Sequence, residues 1–307
     1  MNIYNNNKQL LSTLGVEGNF STDFEVRKAI LTALGGDATE CNTIYEVDTQ
    51  ILKIYEEGGG GSGSDVWDLS GKTYFGEMFK GCTNLIEAPK MITPDGTDFS
   101  YMFQDCTSLT TIPSYDVSSG KNFYLMFQNC KSLVSVPSLN TSSGTSFASM
   151  FANCINLESI QYLNTSNGTS FNRMFQACFK LTFIPTLDTS KGTTFNGMFD
   201  NCRQIETISL IDVSLATDSI VTLFNGCYNL KNITFTGSIN SSIGFSNSEL
   251  LTYDSVKSIL TACSNTANTN SKTVYFDRTL TDQNGELAAL VSTCTSKGWT
   301  ISGLTLN

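Results

Sequence analysis

A short motif returns along most of this chain at a fixed interval, and that period constrains the fold more than any other feature. Met-Phe-x-x-Cys-x-x-Leu begins at Met78, Phe79, Cys82 and Leu85, and its Met-Phe-x-x-Cys core comes back every 24 residues at Met102, Met126, Met150, Met174 and Met198. A seventh, degenerate copy reads Leu223, Phe224, Cys227 and Leu230, one residue late. A unit this small cannot bury its apolar face alone, so a fixed period of this size implies coils stacked into a solenoid, each covering its neighbours.

The third coil shows the composition of the unit. Phe123, Met126, Phe127, Cys130 and Leu133 are spaced by three and four, which predicts one or two helical turns. Val136-Pro137-x-Leu139 then predicts an extended stretch, with proline at 89, 113, 137 and 185 stopping the helix. Asn140-Thr141-Ser142-Ser143-Gly144 is turn chemistry, with glycine at 96, 120, 144, 168 and 192 expected to supply backbone freedom. Equivalent residues in a parallel stack lie ~4.8 Å apart, so seven coils predict a rod of roughly 30 Å. Gln161 and Ser209 replace the proline, and Ala88 replaces the Ile or Val of other coils, which predicts irregularity in coils one, four and six.

Three other regions surround the array at 65–237. Residues 1–57 read as a small helical domain, with Thr22-x-x-Glu25 as a capping box and Gly35-Gly36 as a stop. Ile44, Val47, Ile51 and Ile54 form a short a/d seam there, either an oligomerisation surface favouring three or more strands or the core of a monomeric bundle. Residues 58–64, Gly-Gly-Gly-Gly-Ser-Gly-Ser, form a linker of roughly 14 Å root-mean-square span, natural or from a fusion. Residues 238–307 break the period and read as an α/β cap. Helices are expected around Val256, Ile259, Leu260 and Cys263 and around Leu287, Leu290, Val291 and Cys294, with extended segments at 273–277 and 299–302.

Charge narrows the partners. The chain carries 18 Lys and Arg against 28 Asp and Glu, a net charge of −10, with no basic cluster, which disfavours nucleic acid and anionic membranes. Charged residues are only 15% of the chain, so Ser, Thr, Asn and Gly must build its surface. The start, Met1-Asn-Ile-Tyr-Asn-Asn-Asn-Lys8, has neither the charged nor the apolar part of a secretory signal, and no apolar run approaches the ~18 residues of a membrane span. The expectation is a protein made and retained in the cytoplasm unless a signal has been trimmed or lysis releases it.

Seven of the ten cysteines, from Cys82 to Cys227, occupy one column. Their Cβ vectors in a parallel stack point the same way, which suits disulfides poorly and buried thiol filler well. No two cysteines are close in sequence and there is no histidine, so no metal site is expected.

The unit Met-Phe-x-x-Cys-x-x-Leu-x-x-Ile-Pro-x-Leu-Asp-Thr-Ser resembles the BspA-like leucine-rich repeats of bacterial, protist and phage surface proteins over residues 65–237. The tail from Leu250 to Trp299 is similar to the segment that closes such repeats in proteins of gut bacteria and their phages, and Lys8 to Gly36 resembles short anchoring segments of gut-phage fibre and decoration proteins. The resemblance implies an α/β leucine-rich-repeat solenoid used in binding and adhesion, with no shared enzyme activity. It implies a phage virion protein, as head fibre, decoration or tail receptor-binding protein. Residues 1–57 would contact other virion proteins, a homotrimer is one assembly, and the solenoid would meet host surface glycan or protein. A bacterial cell-surface adhesin lacking its export signal, and a purely structural virion decoration, are the alternatives.

The residues themselves argue for binding over catalysis. Without histidine the usual general base is missing. Asp116, Asp188 and Asp212 share a column with Asn140 and Asn164, so turn capping explains them better than a carboxylate pair does. No cofactor is expected. Candidate contacts are the residues that break their column. Phe183 interrupts a column of Glu, Thr, Ser and Asn, and Tyr162 lies on the adjacent coil. Ile155, Phe179 and Tyr228 interrupt a column of Thr, Lys and Arg. Exposed aromatics suit a sugar or protein partner; the other readings are that scattered surface apolar residues are ordinary, or that they pack against a neighbouring subunit.

Overall fold

The computed structural model describes residues 66–265 and 271–307. The helical reading of 1–57, the seam at Ile44, Val47, Ile51 and Ile54, and the linker all lie outside the described residues. What is described is a mixed α/β repeat protein with short strands in which every strand pairing is parallel.

The Phe-x-x-Met-Phe-x-x-Cys segments are not helical: they are runs of turns. In the second coil, Phe99, Tyr101, Phe103 and Asp105 donate their N–H groups to carbonyls of Asn122, Tyr124, Met126 and Gln128 in the next coil, at 2.8–2.9 Å. The residues between them bond backwards instead, Met102 to Phe99, Gln104 to Tyr101 and Cys106 to Phe103. A helix would send every N–H four residues back and leave none for the neighbour. Two residues in each of the first six coils hold positive φ, Tyr101 at 60° and Asp105 at 62° in this coil. Positive φ at the third residue of a four-residue turn, where Gly and Asn are favoured, resets the chain twice per coil. Spacings of three and four therefore fit a string of turns as well as a helix.

Strands form on the opposite side of the unit. The strands β1 (Val66–Asp68) and β2 (Lys90–Ile92) pair, as do β3 (Ser135–Val136) and β4 (Ser159–Ile160), and β5 (Thr207–Ile211) and β6 (Asn232–Phe235). Isolated parallel bridges such as Glu87 to Thr111, Leu139 to Leu163 and Ser159 to Phe183 link further coils. Coil six, expected to be irregular because Ser209 replaces proline, contains the longest repeat strand, although its register with β6 shifts between Ile208 and Ile211. Proline has no N–H to give a ladder, so losing it favours pairing. The shift also places Phe235 opposite Ile211 and buries it, removing it from the exposed column of Tyr162.

Two phenylalanine columns run through the core. Phe75, Phe99, Phe123, Phe147, Phe171 and Phe195 form one; Phe79, Phe103, Phe127, Phe151, Phe175, Phe199 and Phe224 form the other. Successive rings are nearly parallel, with centroids 5.1 to 5.8 Å apart. Burying each ring contributes about 2 kcal/mol and its stacking up to about 1 kcal/mol more. The glycine column follows from this packing. None of Gly96, Gly120, Gly144, Gly168 and Gly192 has positive φ. A Cβ at each would fall 2.2 to 2.5 Å from Cζ of the phenylalanine three residues on, so glycine is there for space.

The thiols are free and buried, as the sequence suggests, and they do more than fill volume. Each from Cys106 to Cys227 donates its S–H to the carbonyl of a phenylalanine in the preceding coil, at 3.0 to 3.1 Å.

Past the last repeat the sequence period breaks but the stack continues. Strand β7 (Ile243–Gly244) pairs with β8 (Thr273–Leu280), and β8 with β9 (Thr300–Leu306). Ile220 bridges to Ile243, and the ring column extends from Phe224 through Phe245 to Phe276. Helices α1 (Tyr253–Ser264) and α2 (Glu286–Ser296) cross over between the strands. Thr252 caps α1 through the N–H of Ser255. Asp282 caps α2 by accepting the N–H groups of Leu287 and Ala288. Among the described residues no helix is long and apolar enough to cross a membrane.

Candidate functional site: the outward columns of the array

The Asn/Asp-Thr-Ser turns are built alike whichever residue leads them. Asp116, Asn140, Asn164, Asp188 and Asp212 each accept the N–H two residues on, at 2.8 to 3.2 Å. The side-chain and main-chain hydrogen bonds from Ser190 hold the Asp188 carboxyl below its usual range. A buried threonine follows Asn140, Asn164 and Asp188, and its hydroxyl reaches a carbonyl of the next coil: Thr141 to Asn164, Thr165 to Asp188 and Thr189 to Asp212; Thr93, after Ile92 in the same column, reaches Asp116 likewise, and Val117 and Val213 take the place after Asp116 and Asp212. These carboxylates are occupied in turn formation, one per coil, and Asn serves the same purpose.

The strand side carries two large exposed aromatics. Phe183 is 57% exposed and Tyr162 47%. Phe183 is bridged to Ser159, three residues before Tyr162. Leu210, two coils beyond Tyr162 in the same column, is also exposed, and sequence reasoning passed over it because its column was judged by aromatics. Among the described residues no backbone hydrogen bond joins 183–187 to 207–211. Pro185 has no N–H to offer there, and a shallow hollow lined by Ile184, Pro185, Leu187, Ile208, Leu210 and Ile211 remains.

The second set lies in another column. Ile155 and Phe179 are half-buried and Tyr228 is exposed. Arg203 stands between Phe179 and Tyr228 in that column, with its guanidinium 4.3 Å from the centre of the Phe179 ring. That contact is a cation–π pair of about 0.5–1 kcal/mol, so Phe179 already has a partner within the protein. The five candidate residues thus occupy a strand-side pair and a separate stripe. Among the described residues no three His, Cys, Asp or Glu side chains form a group able to hold a metal ion.

A family model described as a Mycoplasma protein of unknown function, DUF285, matches residues 60–159 and again residues 135–236. The chain belongs to this family. The two DUF285 matches overlap within the periodic region, as expected of one unit repeated along the chain. No curated protein and no solved structure matches the chain. Membership in DUF285 therefore identifies a repeat family, and any ligand has to be argued from the columns themselves.

Proposed function

We propose that this chain is a non-enzymatic attachment protein, built as a BspA-like leucine-rich-repeat solenoid of about seven coils. In this reading residues 1–57 fix it to a phage particle and the strand side meets a host-surface glycan or protein. The observation that carries the reading is Phe183, a phenylalanine 57% exposed in a column whose other members are Glu, Thr, Ser and Asn. A parallel bridge to Ser159 holds it, with Tyr162 on the preceding coil and Leu210 on the following one. A rigid platform with a few large apolar side chains on a polar surface is the ordinary form of a contact patch. The use of the repeat carboxylates in turns, together with the lack of histidine, supports binding over chemistry.

A cell-surface adhesin is the second reading, favoured by the bacterial description of the family model. An antibody to residues 65–307, applied to purified phage particles and to washed bacterial envelopes, separates the two. Enrichment in particles supports the virion reading, and enrichment in envelopes supports the adhesin. In either case Tyr162→Ser with Phe183→Ser should abolish staining of target cells while the protein remains folded. Undiminished staining by a folded double variant removes the strand-side patch from the reading.

A further inference from the structure

Three tyrosines break the column rule near the start of the array, on three successive coils and in three different columns. Tyr74 stands where later coils have Asp98, Asn122 and Ser146; Tyr101 stands between Glu77 and Leu125; Tyr124 follows Gly76 and Ser100. The fold gathers them. The rings of Tyr101 and Tyr124 meet edge to face with centroids 5.2 Å apart, and burial, with the Tyr124 phenol beside it, raises the Tyr101 hydroxyl above its usual range. Tyr74 lies close enough to the Ser100 hydroxyl and the Tyr101 phenol for both to bear on its ionisation. All three are half-buried.

Polar groups of both signs surround the rings. The Lys80 ammonium lies 4.7 Å from the centre of the Tyr101 ring and 3.0 Å from Glu77 Oε1. Asp98 accepts the Asn122 amide on both oxygens, at 3.3 and 3.2 Å. Burial, with the Asp98 and Glu77 carboxylates beside it, pushes the Tyr74 phenol up to about 12, so it keeps its proton throughout the physiological range.

Two further observations set this cluster apart from ordinary surface. A Cβ on Gly76 would fall 2.2 Å from the Tyr74 hydroxyl oxygen and 2.4 Å from its Cζ. Gly76 does not have positive φ, so its backbone does not require glycine; the missing side chain is what lets the phenol lie across the main chain. Later coils fill that column with Ser100, Tyr124, Ala148, Asn172 and Asn196. Gln104, one coil after Lys80 in the same column, donates to Gln128 Oε1 at 2.6 Å, yet its own Oε1 is buried and accepts nothing from the protein.

Aromatic rings flanked by carboxylates and amides match the two surfaces of a sugar. The C–H face of a pyranose packs on a ring, and its hydroxyls donate to carboxylate and amide oxygens. Two carboxylates stand against one ammonium that is already paired, a balance that repels acidic sugars. We propose that Tyr74, Tyr101 and Tyr124, with Glu77, Lys80 and Asp98 at their rim, form a binding site for neutral glycans, separate from the strand-side patch at Phe183 and not dependent on its role.

The test is saturation-transfer NMR on the full chain with lactose, mannotriose and triacetylchitotriose as neutral probes and 3′-sialyllactose as the acidic one. At least one neutral sugar should receive saturation and the sialylated one should not. Tyr101→Ala should weaken binding at least tenfold, Gly76→Ala should weaken it by displacing the Tyr74 ring, and Phe183→Ser should leave it unchanged. Wild-type thermal unfolding qualifies each variant; should Tyr101→Ala fail that check, Glu77→Gln combined with Lys80→Gln at the rim carries the same tenfold expectation. The site is refuted if no neutral probe receives saturation, if sialyllactose binds as well, if the folded tyrosine or rim variant binds normally, or if Phe183→Ser abolishes binding.

Discussion

Cys154 Sγ lies 3.0 Å from the main-chain carbonyl oxygen of Phe127 in the preceding coil and donates its hydrogen to it. The same carbonyl already accepts the N–H of Cys130, so the thiol satisfies its second lone pair. Removing the thiol loses a buried hydrogen bond and opens a small cavity. Cys154→Ala should cost about 2 kcal/mol in urea unfolding, and Cys154→Ser, which keeps a donor, should cost less. Equal losses in the two variants would mean that volume alone matters at this position.

The thiols also make the stack sensitive to alkali. Burial raises Cys130, Cys154, Cys178, Cys202 and Cys227 above the ordinary thiol range. In the unfolded chain such thiols ionise near pH 8.5, while in the folded chain they keep their protons. Stability is therefore full below about pH 8.5 and falls as pH rises from there towards the folded values, by about 1.4 kcal/mol per pH unit for each thiol. Five together remove about 7 kcal/mol per unit, comparable with the whole stability of a typical domain. The urea midpoint should collapse between about pH 9 and 10, with thiols reacting with an aromatic disulfide reagent only as the protein unfolds.

Two glycines with the same substitution should behave differently. At Gly144 a Cβ would lie 2.5 Å from Phe147 Cζ and 2.9 Å from the carbonyl oxygen of Thr141, so Gly144→Ala should cost about 3 kcal/mol or prevent folding. At Gly81, with φ of 76° and open space around it, alanine meets only backbone strain, about 1 kcal/mol. Thermal unfolding of the pair checks whether ring packing or turn geometry fixes the glycine column.

Ala177 holds a φ of 57° where other coils place Gly81, Asp105, Asn129 and Asn153. Ala177→Gly relieves the left-handed strain, partly offset by the greater freedom of glycine in the unfolded chain, and should raise stability by about 0.5–1 kcal/mol. Differential scanning calorimetry should show a higher midpoint.

The period made the core legible: the phenylalanine, methionine and cysteine columns read from the sequence are the buried columns of the structure. The helical reading between Phe123 and Leu133 failed because hydrophobic spacing alone does not separate a helix from successive turns. A better signal was present at Asp105, Asn129, Asn153 and Asn201, residues suited to positive φ and placed directly before the cysteine in coil after coil. The continuation of the stack through Ile243, Val274 and Ile301 was hidden because α1 and α2 lengthen the crossovers and erase the 24-residue interval. Tyr162 and Phe183 break their columns in the sequence, and both are exposed in the structure. Tyr74, Tyr101 and Tyr124 also break their columns, but they lie in three different columns and only the folded coils show them converging.

The ladder between coils has one further consequence, for length. Alternate N–H groups of the turn side are matched to carbonyls of the next coil, as Phe127 is to Met150 and Phe151 to Met174, while those between them bond within their own coil, so no bond of this ladder reaches beyond the adjacent coil. Inserting or deleting a whole 24-residue unit leaves every remaining match in place and changes the distance between the two ends of the array by one strand spacing, about 4.8 Å. The gene can thus adjust the length of this protein in fixed increments while leaving the remaining coils unchanged, and a lineage that needs a longer or shorter array has only to duplicate or lose a unit.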